Sequence, residues 1–195
     1  MARSKLDQLR REAAECTACD LYKTATQVVF GEGPPDAETM FVGEQPGDQE
    51  DKLGRPFVGP AGKLLDRAFA DAGIDREHVY LTNVVKHFKW VARGKRRIHQ
   101  KPNWSEVAAC RPWLEAELAA VQPRVLVCLG AVAAQTLLGR EFRVSRQRGI
   151  ELPSDLAEHV LATVHPSAIL RGDPETRERE FSALVGDLSV VANWL

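Results

Sequence analysis

Apolar residues recur along this chain in two different rhythms. Five short runs are almost unbroken and rich in Val, Leu and Phe: Gln27-Val-Val-Phe, Thr39-Met-Phe-Val, Val79-Tyr-Leu-Thr-Asn-Val-Val, Arg124-Val-Leu-Val-Cys-Leu-Gly and His159-Val-Leu-Ala-Thr-Val. Runs of this kind predict strands buried on both faces. Between them the apolar positions fall at helical spacing. Residues 3–15 place Leu6, Leu9 and Ala13 on one helix face, and 60–73 and 131–138 read as further helices. Ser105 is a plausible N-cap for a helix reaching about Val121, and Pro174 suits the first turn of a last helix over 174–193. Alternating strands and helices predict an α/β fold: a three-layer α/β/α sandwich around a central, mostly parallel sheet. With 195 residues, 44% of them hydrophobic, the chain suits one domain over 1–195.

In such sheets the ligand site lies beyond the carboxyl ends of the strands. Glu44, Gln45 and Asp48 follow the strand 39–42, Asn83 closes the strand 79–85, and His165 follows 159–164 in His165-Pro-Ser167. Three unconnected segments therefore deliver polar side chains to one rim, which predicts a shared site. The segment from Phe41 to Gly62 strengthens that reading. It carries five glycines, among them Gly43 and Gly47, which let a ligand approach the backbone closely. Phe57 in the same segment offers a flat face for stacking.

Charge changes the picture only locally. The formal net charge is −1, which announces no nucleic-acid binder, yet seven Lys and Arg crowd between Lys86 and Lys101. No apolar run is long enough to span a bilayer, and the N-terminus has no signal-peptide core, so no membrane partner and a cytoplasmic location are expected. Four cysteines in a reducing compartment point to metal ligands or buried thiols. Cys16-Thr-Ala-Cys19 has metal-ligand spacing, and Cys110 and His87 complete a candidate set, while Cys128 sits mid-strand as a small hydrophobe. Residue types alone favour zinc over a cluster.

The ordered motifs Cys16-x-x-Cys19, Gly43-Glu-Gln-Pro-Gly47, Gly54-Arg-Pro-Phe-Val-Gly59, Thr82-Asn-Val-Val-Lys86, Ala109-Cys-Arg-Pro-Trp-Leu and His165-Pro-Ser167 resemble the iron–sulfur uracil-DNA glycosylases of the family-four type over nearly the whole chain. The resemblance implies a [4Fe–4S] cluster on Cys16, Cys19, His87 and Cys110 in place of zinc. His87 stands where ordinary members have a cysteine, and Gln45 where they typically have alanine. The segment Trp90 to Lys101 replaces a shorter turn. These departures resemble the UdgX branch, whose members cut uracil from DNA and stay attached to the abasic sugar through a histidine in an Arg-Arg-Ile-His loop. The matching residue is His99.

That resemblance implies uracil-containing DNA, single- or double-stranded, as partner, free uracil as product, and a monomer. It also gives each site residue an expected role. Phe57 stacks on the flipped base, Asn83 reads its O4/N3 edge, and Gly43 and Gly47 admit it. His165 stabilises charge on O2. His99 traps the sugar cation, Glu44 orients His99 by accepting from its other ring nitrogen, and Gln45 and Asp48 assist. Lys95, Arg96, Arg97, Ser167 and Arg171 are expected on the DNA backbone, with Trp90 and Trp104 as stacking or packing groups. The alternatives are a hydrolytic glycosylase with turnover, in which His99 only binds DNA, and a non-catalytic iron–sulfur DNA-binding module.

Overall fold

The computed structural model describes residues 2–195. Four parallel strands form the central sheet: β1 (Thr39–Gly43), β2 (Val79–Asn83), β5 (Val125–Leu129) and β6 (His159–Thr163), in the order β2-β1-β5-β6. In register, Gly43 lies beside Asn83, and Leu129 beside Thr163, so the carboxyl ends line up along one rim.

Alternation along each strand sorts the core into two layers. Met40, Val42, Tyr80, Leu126 and Cys128 pack with α1 (Ala2–Ala14), α4 (Trp104–Val121) and α5 (Ala131–Leu138). Phe41, Leu81, Val127 and Leu161 face α3 (Pro60–Ala72) and α8 (Arg177–Ala192) on the other side. The three-layer α/β/α architecture is thus present. No helix among the described residues is long and apolar enough to cross a membrane.

Four local expectations change. The run 27–30 is not a strand. Val29 N donates to Lys86 O (2.8 Å), in the segment just after β2, and further on an isolated bridge pairs Glu32 with Leu81 of β2. Gly33 and two prolines interrupt any longer ladder, since proline has no N–H to give. The N-cap of α4 is Asn103, not Ser105. Its side chain accepts from Glu106 N (2.9 Å), while Glu106 Oε2 accepts from Asn103 N (2.7 Å), a reciprocal capping box. The last helix begins at Arg177 rather than 174, because Asp173 to Thr176 close a separate turn. Finally, β2 ends at Asn83, two residues earlier than expected.

Elements that hydrophobic periodicity does not announce shape the site. They are the short helix α2 (Asp48–Leu53), the antiparallel hairpin β3 (Trp90–Arg93) and β4 (Arg96–His99), and the helices α6 (Val144–Gln147) and α7 (Pro166–Arg171).

Candidate functional site

A cavity of about 730 Å³ opens at the carboxyl rim of the sheet. Glu44, Phe57, Asn83, His99 and His165 all line it, so five residues predicted separately converge. Gly43 forms its floor. A Cβ there would stand 2.4 Å from Asn83 Oδ1, 2.7 Å from Phe57 Cζ and 3.3 Å from His165 Nε2. Any larger residue would fill the space where these three groups meet.

The floor is preorganised by the chain around it. Phe57 is held at φ +54°, in the left-handed region that a non-glycine residue rarely adopts. Gly62 makes room for this: a Cβ at 62 would lie 1.9 Å from the Phe57 carbonyl oxygen. Glu50 ties the segment's two ends together, accepting from Gly47 N (3.1 Å) and Gly59 N (2.7 Å). Sequence reasoning passed over Glu50, though its place three residues after Gly47 is the capping-box spacing. The Phe57 ring lies near-parallel to His165, with centroids 6.0 Å apart.

His165 caps α7, and its Nδ1 accepts from Ser167 N at 3.1 Å. With Nδ1 so engaged, a neutral ring carries its proton on Nε2, the nitrogen facing Gly43. One edge of the ring opens on the cavity, but burial first, and Arg171 and His99 after it, push its pKa down to about 4. At neutral pH it is a neutral Nε2–H donor. Asn83 is 2% exposed, and its Oδ1 has no partner. A buried polar atom left unpaired costs free energy unless a ligand satisfies it.

A second side of the cavity is reached by the β3–β4 hairpin through His99. Gly94, at φ +60°, turns it, and residues on one strand pair with the other from Trp90↔His99 to Arg93↔Arg96. Gln45 fastens both of its ends. Its Nε2 donates to Gln100 O (2.9 Å) and Lys89 O (3.3 Å), and its Oε1 accepts from Lys89 N (3.0 Å). The amide is therefore spent on the hairpin backbone, and Gln45 belongs to positioning rather than to the reacting groups.

Arg97 also departs from expectation. It faces inward: Nε donates to Asp48 (2.6 Å), and Nη1 to Asp51 (2.6 Å) and Thr26 (3.2 Å). Its guanidinium lies over Phe88 and Trp90, at 5.3 and 5.4 Å from the ring centroids. A guanidinium committed to two carboxylates and two rings is an internal clamp, not a phosphate contact. Asp48 is held by the same clamp and by Lys52 (2.5 Å). Burial alone would raise its pKa, but the bonds from Lys52 and Arg97 prevail and hold it low. It braces the hairpin while also lining the cavity. Trp90 is packed beneath Arg97 and donates to Thr24 O (3.0 Å), and Trp104 lies under Arg140, so neither is a free stacking platform. Lys95 and Arg96 are exposed at the hairpin tip, while Ser167 accepts from Arg171 (2.9 Å) beside the cavity.

His99 ends β4, and its Nε2 lies 3.5 Å from Glu44 Oε1. That is longer than the hydrogen bond expected between them, and Glu44 Oε1 is left buried without a hydrogen-bond partner. Burial, then Arg171, lowers the His99 pKa, while its own carbonyl acts the other way. Burial raises the Glu44 pKa against Lys101 and Arg171. A pKa below the ordinary histidine value leaves the imidazole mainly neutral at neutral pH.

Behind the hairpin lie the candidate metal ligands. Among the described residues no three His, Cys, Asp or Glu side chains gather closely enough to hold a single metal ion. The side chains described are thus not gathered as a ready-made shell for one ion. The thiols do influence one another: burial raises the Cys110 pKa to about 11, with Cys16 and Cys19 among its further causes. Trp113 Nε1 points at Cys16 Sγ (3.2 Å) and Lys86 N at Cys110 Sγ (3.2 Å). Burial keeps His87 neutral. Sulfurs supplied with N–H donors suit a cluster, which spreads its ligands further apart than one ion does.

Comparison with known proteins bears on this geometry. Residues 30–189 match the Uracil DNA glycosylase superfamily. The type-4 uracil-DNA glycosylase of Archaeoglobus fulgidus is 42% identical over 181 residues, covering 89% of this chain and 86% of the relative. That of Thermotoga maritima is 41% identical over 158 residues, covering 80% and 79%. Among solved structures, SMUG2 of Pedobacter heparinus superposes with a TM-score of 0.53 at 12% identity, over 81% of this chain and 77% of that one, a likeness of fold alone.

Proposed function

Since the chain belongs to the uracil DNA glycosylase superfamily, we propose that it excises uracil from DNA and captures the sugar on His99. The observation that carries the capture is the presence of a neutral, partly exposed imidazole in the same cavity as Asn83 and His165. The target nucleotide leaves the stack and enters the cavity. Phe57 lies against the base, and the Asn83 carboxamide pairs with its O4/N3 edge, satisfying the buried Oδ1 side of the site.

The C1′–N1 bond breaks with its electron pair passing to uracil. His165 Nε2–H donates to O2, where that charge collects; losing such a donor typically costs about 2.7–4 kcal/mol of barrier. The sugar is left cationic at C1′. Glu44, close to His99, stabilises that cation through its charge. The His99 lone pair then forms the new bond to C1′, and solvent protonates the departed uracil anion. Close range favours the imidazole over water. The remaining imidazole proton is lost to solvent or shared with the His99 carbonyl.

Cys16, Cys19, Cys110 and His87 would hold a [4Fe–4S] cluster, which supplies rigidity beneath the hairpin. Lys95, Arg96 and Arg171 are exposed cations that would meet DNA phosphates.

A denaturing gel with a uracil-containing oligonucleotide tests the reading. A heat-stable shifted band, dependent on uracil and lost in His99→Ala, is expected. Free abasic product with repeated turnover and no band would leave an ordinary hydrolytic glycosylase. Intact DNA with no band would leave a binding module. Glu44→Gln should lower both cleavage and adduct; unchanged yields would refute its electrostatic role.

A further inference from the structure

Behind the cavity lies an ion pair withdrawn from water. Lys86 is 1% exposed at its side chain and Glu117 is fully buried. Such a pair is weak support for a fold, because apolar residues of similar volume often serve as well. Its geometry is more specific than stability requires. The three donors of Lys86 Nζ meet Thr82 Oγ1 at 2.7 Å, the Asn83 carbonyl oxygen at 2.6 Å and the Glu117 carboxylate. Glu117 Oε1 in turn accepts from Gly31 N at 2.9 Å and Tyr80 OH at 3.0 Å.

Asn83 presents the opposite situation. Its side-chain Oδ1 has no partner in the protein, so the oxygen end of the carboxamide is not fixed by bonds of its own. The main chain must aim it. The peptide after Asn83 is gripped on both sides: Val84 N donates to Gly43 O at 2.9 Å, and the Asn83 carbonyl accepts from Lys86 Nζ. Removing the ammonium would leave a buried carbonyl unpaired and that peptide free to tilt. Lys86 also donates its own N–H to Cys110 Sγ, so one residue joins the cysteine region to the base-reading amide.

We propose that Lys86 is the positioning residue for Asn83. Its ammonium fixes the 83–84 peptide and thereby the direction of the Asn83 carboxamide, and Glu117 keeps that ammonium in place as an acceptor. The inference rests on the reading of Asn83 as the residue that pairs with the base.

The full-length protein is tested as Lys86→Met/Glu117→Gln, Glu117→Gln and Asn83→Ala, each for single-turnover uracil release and for thermal unfolding. The double variant removes both buried charges and keeps an acceptor for Gly31 and Tyr80. It should melt above Glu117→Gln, because it strands no charge, though somewhat below the parent, because the Asn83 carbonyl loses its buried partner. Its saturating rate of uracil release should fall about tenfold to a hundredfold, the scale set by misaligned reacting groups. The half-saturating DNA concentration should not move, since the DNA-facing surface is untouched. Glu117→Gln alone should melt lower, because it strands a buried charge, yet release uracil at the parent's rate below its transition. The amide oxygen still accepts from Lys86, and Lys86 still reaches Asn83.

Parent-like release by the double variant would overturn the proposal. So would a rate loss in Glu117→Gln equal to that of the double variant, which would make the pair merely structural. Should the double variant not fold, Lys86→Arg decides in its place: it keeps the charge opposite Glu117 but displaces the donor from the Asn83 carbonyl, so the saturating rate should fall, and parent-like release would overturn the proposal. Parent-like release by Asn83→Ala would overturn the base-reading role without involving Lys86, so the two failures are told apart.

Discussion

The two walls of the cavity are built on opposite plans. The sheet rim leaves polar atoms without partners: Asn83 Oδ1 is buried and unpaired, and His165 Nε2 faces open space above Gly43. The hairpin wall has its polar groups occupied. Gln45 uses its amide on both ends of the hairpin, and Arg97 is shared among Asp48, Asp51 and Thr26. On that wall only His99 is turned to the cavity in a form suited to chemistry. The difference teaches that charge and proximity do not by themselves identify a reacting group. What identifies it is an unspent donor, acceptor or lone pair, held in place by neighbours whose own bonds are complete.

The sharpest way to break the comparison is at the rim. His165→Ala should cut the rate of uracil release about a hundredfold to a thousandfold, measured in a single turnover, with DNA binding little changed. A loss below tenfold would mean that the rim does not stabilise the leaving base.

The hairpin should respond differently. Arg97→Met leaves Asp51 buried with Thr26 as its remaining partner and loosens the arm that carries His99. Adduct yield should drop about tenfold to a hundredfold on a denaturing gel, while uracil release drops less. Equal losses of both would show that the two walls act as one unit.

Acid should separate the walls more gently. His99 is depressed below the ordinary histidine value, so its neutral form persists at neutral pH and is lost as pH falls through that lowered pKa. His165, at about 4, remains neutral to lower pH. Adduct yield should therefore decline on the acid side before uracil release by the rim does, apart from the contribution of Glu44. Adduct yield that rises with acid would contradict a neutral nucleophile.

The smallest effect belongs to the exposed tip. Arg96→Ala should weaken DNA binding slightly and reduce the salt slope by about one phosphate contact, with no change in the saturating rate. Salt dependence measured in the same way should be indifferent to Arg97 as a charge, since that guanidinium is already paired. A matching slope change in Arg97→Met would restore it to the DNA surface.

Much of the molecule was legible in the amino-acid order. The strands of the sheet read as buried because they are apolar at nearly every position. The polar residues after Val42, at Asn83 and after Val164 read as one rim because parallel strands end together. The short elements were less legible. Residues 90–99 run Trp-Val-Ala-Arg-Gly-Lys-Arg-Arg-Ile-His, with no regular apolar–polar alternation, and with the cations clustered there they read as a basic loop. Once they pair as a hairpin, Arg96 and Arg97 must point to opposite faces. That single change left one arginine exposed to solvent and made the other an internal clamp.

The sequence by itself therefore determined the class of fold, the rim on which the site lies and the residue types available there. These are set by hydrophobic period and by the order of motifs, both local properties of the chain. Only the tertiary structure decided which polar groups are spent and which remain available. Gln45 meets Lys89 and Gln100, Asp48 meets Arg97, and Lys86 meets Glu117 across separations that no local pattern encodes. A hydrogen-bonding group becomes chemical or structural according to whether folding brings it a partner, and that outcome depends on the whole packed molecule.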